Sequence, residues 1–183
     1  MNLGTEKVVL SKFKSVRLLD QRNVHDTQLY TNTEWAMQND AVEEKPRWKF
    51  TCLATAYAMV QAARGKHYRI GPHNWTDSAG IEAISGTGPG AQYDVERKAV
   101  KVFSILSAQN CLLANGTSAS LGHHGHWVLI VGYSKGNETS SLENFIAFDP
   151  FGGMEIAISS VDWSSRGGLA GDFSVSKLRL VVL

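Results

Sequence analysis

The sequence predicts an α+β protein in which an N-terminal helical layer packs on a C-terminal antiparallel sheet. Two observations lead there. Before Gln109 the apolar residues of the longest patterned segments recur at helical spacing; after it they fall into short runs broken by Gly, Asn and Ser. A third sets the number of units. With 183 residues, 43% of them hydrophobic, the chain can bury one substantial core, and no Gly/Pro/Ser linker divides it. One domain is expected: an N-terminal arm over residues 1–47, a helical part over 48–108 and a sheet part over 109–183.

The arm is polar and irregular. Within it "KFKSVRLL" reads as a short strand, whereas "TNTEWAMQNDAVEEKPRW" alternates turn formers and charges without a sustained period. "TCLATAYAMVQAARG" is the first clear helix. Leu53, Ala56, Tyr57 and Val60 share one face, the alanines have high propensity, Thr51 suits the N-cap and Gly65 the stop. After the break "SGTGPG", "AQYDVERKAVKVFSILSA" reads as a second helix whose apolar stripe is Val95, Ala99, Val102 and Leu106. "CLLA", "HWVLIVGY", "NFIAFDP", "MEIAIS" and "KLRLVVL" then read as strands of a meandering sheet.

Bulk properties exclude several functions. Eighteen basic and seventeen acidic residues leave a net charge of +1, which provides no electrostatic footprint for nucleic acid or an anionic membrane. No run approaches the roughly 20 apolar residues of a membrane span, and "MNLGTEKVVLSKFKSVRLLDQ" lacks the pattern of a secretory signal. A soluble monomer, cytoplasmic as synthesised, is the expectation. "SGTGPG" lacks the Lys-Ser/Thr of a phosphate-binding loop. His123, His124 and His126 in "HHGH" have the ligand type for zinc but not a familiar spacing, so no metal and no cofactor is expected.

Three residues are candidates for chemistry. Cys52 opens the first helix, where unpaired backbone N–H groups and the helix dipole favour a thiolate. A lone cysteine in an apolar helix is more often a buried packing residue, and Cys111 is read as one. A Cys52–Cys111 bridge would exclude catalysis. His126 opens an otherwise pure core strand in "GHWVLIVGY", and Asp149 ends the next strand in "NFIAFDPFGG". Neighbouring antiparallel strands bring the start of one to the end of the other, so an Asp–His hydrogen bond is geometrically natural. Such a bond fixes the imidazole tautomer and orientation. A helix-start Cys, a strand-start His and a strand-end Asp in this order form a rarer combination than any one of them.

"TCLATAYAMV", "GHWVLIVGY" and "FIAFDPFGG" together resemble the papain-like cysteine peptidase superfamily, in particular the compact bacterial branch of bacteriocin-processing peptidases, over residues 48–153. The resemblance implies a papain-like fold with Cys52 as nucleophile, His126 as general base and Asp149 as its orienting residue. It implies an oxyanion glutamine upstream, Gln21 in "LLDQRN" or else Gln38, with the backbone N–H of Cys52 as second donor. Trp48 and Trp127 are read as cleft walls. The implied activity is hydrolysis of a protein or peptide substrate through a thioester acyl-enzyme, by an endopeptidase or by a glutamine deamidase of the same chemistry. A peptidase needs an open groove for an extended chain; a deamidase needs a pocket closed beyond the amide nitrogen. A bacterial effector exported by a signal-independent secretion system fits either, and a non-catalytic binding module is the third reading.

Overall fold

A computed structural model of the chain describes residues 6–20, 52–65, 93–117, 125–160 and 174–183. Its centre is strand β4, the ten residues Gly125–Ser134, in which Val128, Leu129, Ile130 and Val131 are all fully buried. An unbroken apolar run of this kind suits a strand covered on both faces. β3 (Cys111–Thr117) pairs antiparallel with one edge of β4, through Leu112↔Ile130 to Thr117↔Gly125. β5 (Phe145–Asp149), buried at every residue, pairs antiparallel with the other edge, and β6 (Met154–Ala157) follows it. β7 (Ser174–Val181) returns to lie beside β3.

Two further strands come from the first half of the chain. β1 (Lys7–Val9) pairs with Gly132–Ser134 of β4, and β2 (Tyr93–Val95) pairs with β7. Among the described residues these make one seven-stranded antiparallel sheet in the order β2-β7-β3-β4-β5-β6, with β1 against β4. β1 covers the end of β4 beyond the reach of β3, where Leu10 N–H bonds the Val131 carbonyl at 2.9 Å. Gly132 is required at this crossing because a side chain there would run into the Val8 carbonyl.

Two α-helices accompany the sheet. α1 (Cys52–Ala63) packs against β4; Ala56, Tyr57, Ala58, Met59 and Val60 are all buried, so the middle of the helix is enclosed rather than amphipathic. α2 (Ala99–Ser107) presents Val102, Ile105 and Leu106 to the core at i, i+3, i+4 and packs against β3 and β4. It ends in paired bonds, Gln109 N–H to Leu106 and Asn110 N–H to Ile105, with Gln109 left-handed at φ 61°. None of the described helices is long and apolar enough to cross a membrane.

This architecture corrects the expected fold class. In place of a papain-like N-terminal helical layer on a C-terminal sheet, the described residues form a mostly antiparallel sheet with two short helices. The predicted second helix is divided. Its first residues, Tyr93–Val95, extend the sheet edge on β7, and Lys98, extended at φ −112°, ψ 129°, precedes α2. Tertiary pairing overrides the helical stripe that included Val95. The strand expected in "KFKSVRLL" is also absent: Ser11–Phe13 is a short 3₁₀ turn that drops Phe13 edge-on against Phe148, and the strand lies earlier, at Lys7–Val9.

Candidate active site

Strand alternation brings the site together. From His126, the side chains of Val128 and Ile130 share one face of β4, and the register Ile130↔Ala147 puts Ala147 and Asp149 on that same face. The last residue of β5 therefore lies beside the first inward residue of β4. His126 Nε2 is 2.6 Å from Asp149 Oδ1, and both side chains are about as buried as the core, at 2% exposure each. The same Oδ1 accepts a hydrogen bond from Phe151 N–H at 2.8 Å, a turn that Pro150 and two following glycines make possible. Phe151, 8% exposed, stands edge-on to the imidazole with centroids 6.5 Å apart.

A carboxylate only accepts, so the proton of a neutral His126 sits on Nε2 and leaves Nδ1 as the basic nitrogen. Cys52, the first residue of α1, is the other side chain close enough to favour the charged ring. Burial alone would drive the ring toward its neutral form. The bond to Asp149 and the neighbouring Cys52 outweigh that effect and raise the pKa of His126 above its ordinary 6.5. The attraction is mutual: the cationic ring favours a thiolate at Cys52 as the thiolate favours the cation.

The two cysteines differ sharply. Both are free thiols, so no bridge occupies Cys52. Cys111 starts β3 in the sheet interior with no exposure, its Sγ 3.9 Å from the Val181 carbonyl, and burial pushes its thiol pKa far up. Cys52 keeps 5% exposure beside a titratable ring.

Trp127 points to the face opposite His126. It is half-buried, with the Arg179 guanidinium 5.4 Å over its ring. Gln21, Gln38 and Trp48, together with Thr51, the expected N-cap, and with His123 and His124, lie outside the described residues. Three contacts had no signature in sequence reasoning. The Phe151 ring and its N–H are implicit only in the Asp-Pro turn. Arg179 reaches Trp127 from β7. Asp20 accepts from Gly152 N–H at 3.2 Å across 132 residues of chain. A cavity of about 510 Å³ bounded by Lys7, Val9, Phe13, Phe148 and Glu155 opens on the other face, since Phe148 alternates with Asp149. It is not part of the Cys–His–Asp cluster.

Compared with protein-family models and with curated proteins, the chain matches none.

Proposed function

We propose that the protein is a cysteine hydrolase that cleaves amide bonds of a protein or peptide through Cys52, His126 and Asp149. The observation that carries this reading is the buried imidazole held between a carboxylate and a thiol, with its protonated form favoured. A histidine kept only for packing has no need of a strand-end carboxylate on Nε2 and a helix-start thiol close to the ring.

In the proposed reaction Cys52 Sγ, as thiolate, attacks the carbonyl carbon of the substrate amide. The carbonyl oxygen becomes an oxyanion, which the backbone N–H of Cys52, at the first position of α1, is placed to receive. The C–N bond breaks as His126 gives its proton to the departing amine, leaving a thioester. Water then attacks the thioester carbon while His126 takes one of its protons. The carboxylic acid leaves and the thiol–imidazole pair is restored. Asp149 holds the ring throughout and offsets its charge; it does not exchange a proton.

The test is to incubate the protein, and separately Cys52→Ala, with casein, and to measure fragments and ammonia in parallel. Fragments from the wild type alone are expected. Ammonia without fragments would move the reading to a deamidase. Neither product from a folded wild type, or equal products from both proteins, would overturn it.

A further inference from the structure

Asp149 ends β5, but what fixes its carboxylate is the turn that follows. Residues 150–153 run Pro-Phe-Gly-Gly, and Gly152 and Gly153 have φ of 104° and 60°, in the region that favours glycine. Such a segment has little conformational preference of its own, so its shape must be imposed by partners. Two carboxylates provide them on consecutive N–H groups: Phe151 N–H bonds Asp149 Oδ1 at 2.8 Å, and Gly152 N–H bonds Asp20 Oδ1 at 3.2 Å. The contact with the arm is close as well as polar. A Cβ at Gly153 would lie 3.2 Å from Asp20 N and 3.3 Å from Leu19 C, so the backbones are nearly touching. Leu19, buried to 1%, anchors the arm immediately before Asp20.

We propose that Asp20 is a positioning residue for the triad: by holding Gly152 N–H it shapes the 149–153 turn that aims Asp149 Oδ1 at His126 Nε2. The proposal rests on the reading of Cys52, His126 and Asp149 as the reacting group. It makes the arm, from the far end of the chain, a working part of the site rather than a cover. The effect of Asp20 runs through the turn, by way of Gly152 N–H. The interaction needs an acceptor oxygen rather than a charge, which gives it a distinguishing signature.

The test compares wild type, Asp20→Ala and Asp20→Asn by the second-order rate of Cys52 alkylation with iodoacetamide at a temperature where each is folded. The reagent is uncharged, so a change of surface charge does not alter the encounter. A tether that aims a catalytic group is expected to change reactivity by roughly 10-fold when cut. Asp20→Ala should therefore label about 10-fold more slowly, and Asp20→Asn, which keeps the acceptor, should stay within about 2-fold of wild type. A merely structural Asp20 would lower the melting temperature and leave the rate of the folded state unchanged. Amide hydrogen exchange in the wild type gives a reading that needs no variant: Gly152 should be protected well beyond the exposed turn glycine Gly136. Fast labelling of Cys52 in the wild type with an unchanged rate in Asp20→Ala overturns the tether alone, as does equal slowing in Ala and Asn or an unprotected Gly152. Slow labelling of Cys52 in the wild type overturns the triad and the tether together.

Discussion

His126 bears opposing demands on a single ring, and its titration exposes them. Burial disfavours the cation, whereas Asp149 and Cys52 favour it strongly enough to raise the pKa. Asp149→Asn keeps the oxygen that accepts from Phe151 and from the imidazole but removes the charge. A charged hydrogen bond is worth roughly twice a neutral one, so casein cleavage should fall about 10-fold with the fold retained. His126→Ala removes the proton carrier and should cost on the order of 10³-fold. Equal losses from the two variants would contradict the division of roles. The sign of the pH dependence follows from the raised value. Stability from the protonated ring is fully present below the ordinary pKa of 6.5 and is lost as pH rises through the higher folded pKa. The gap in melting temperature between wild type and Asp149→Asn should narrow as the pH rises above the ordinary pKa of 6.5; a gap that widens would contradict the pairing. At this scale the sequence was readable where a polar residue interrupts an apolar pattern, as His126 and Asp149 do. Asp20 interrupts nothing and left no local mark.

Among the elements, those whose pattern is set by burial on the spot were legible: α1 begins at Cys52, and β3 to β7 fall within or around the apolar runs. The elements missed are three residues long and owe their conformation to a distant partner. Lys7–Val9 extends because the end of β4 offers unpaired backbone groups, and Tyr93–Val95 because β7 does. A three-residue segment has no period to detect, and Val95 fits a helical stripe as well as a strand. The β1–β4 crossing makes its own prediction. Gly132→Ala sets a methyl against the Val8 carbonyl and should destabilise by about 1–3 kcal/mol, seen as a lower melting temperature. Gly132 is six residues from His126 along β4, about 20 Å, so Cys52 alkylation in the folded variant should match wild type. Slower labelling without loss of stability would mean that β1 and the site are coupled.

Across the molecule, the pairs that assemble the site differ in how far they reach. His126 and Asp149 are 23 residues apart on adjacent strands of a meander, a proximity that chain order and alternation anticipate. Cys52 joins them only because an enclosed helix packs against β4, and the arm closes over the turn from 132 residues away. The predicted helical layer failed for the same reason: the sheet recruits strands from both halves of the chain, and no window of sequence contains that pairing. The two thiols give a direct readout of the resulting asymmetry, one beside an imidazole with slight exposure and one fully enclosed in the sheet with its pKa driven up. Whether the fold activates Cys52 is read out by iodoacetamide labelling with mass mapping near neutral pH. Rapid modification of Cys52 in the native protein is expected, with loss of that rapid phase in His126→Ala and modification of Cys111 only when the sheet unfolds in denaturant. Preferential labelling of Cys111, or a Cys52 rate indifferent to His126, would contradict it.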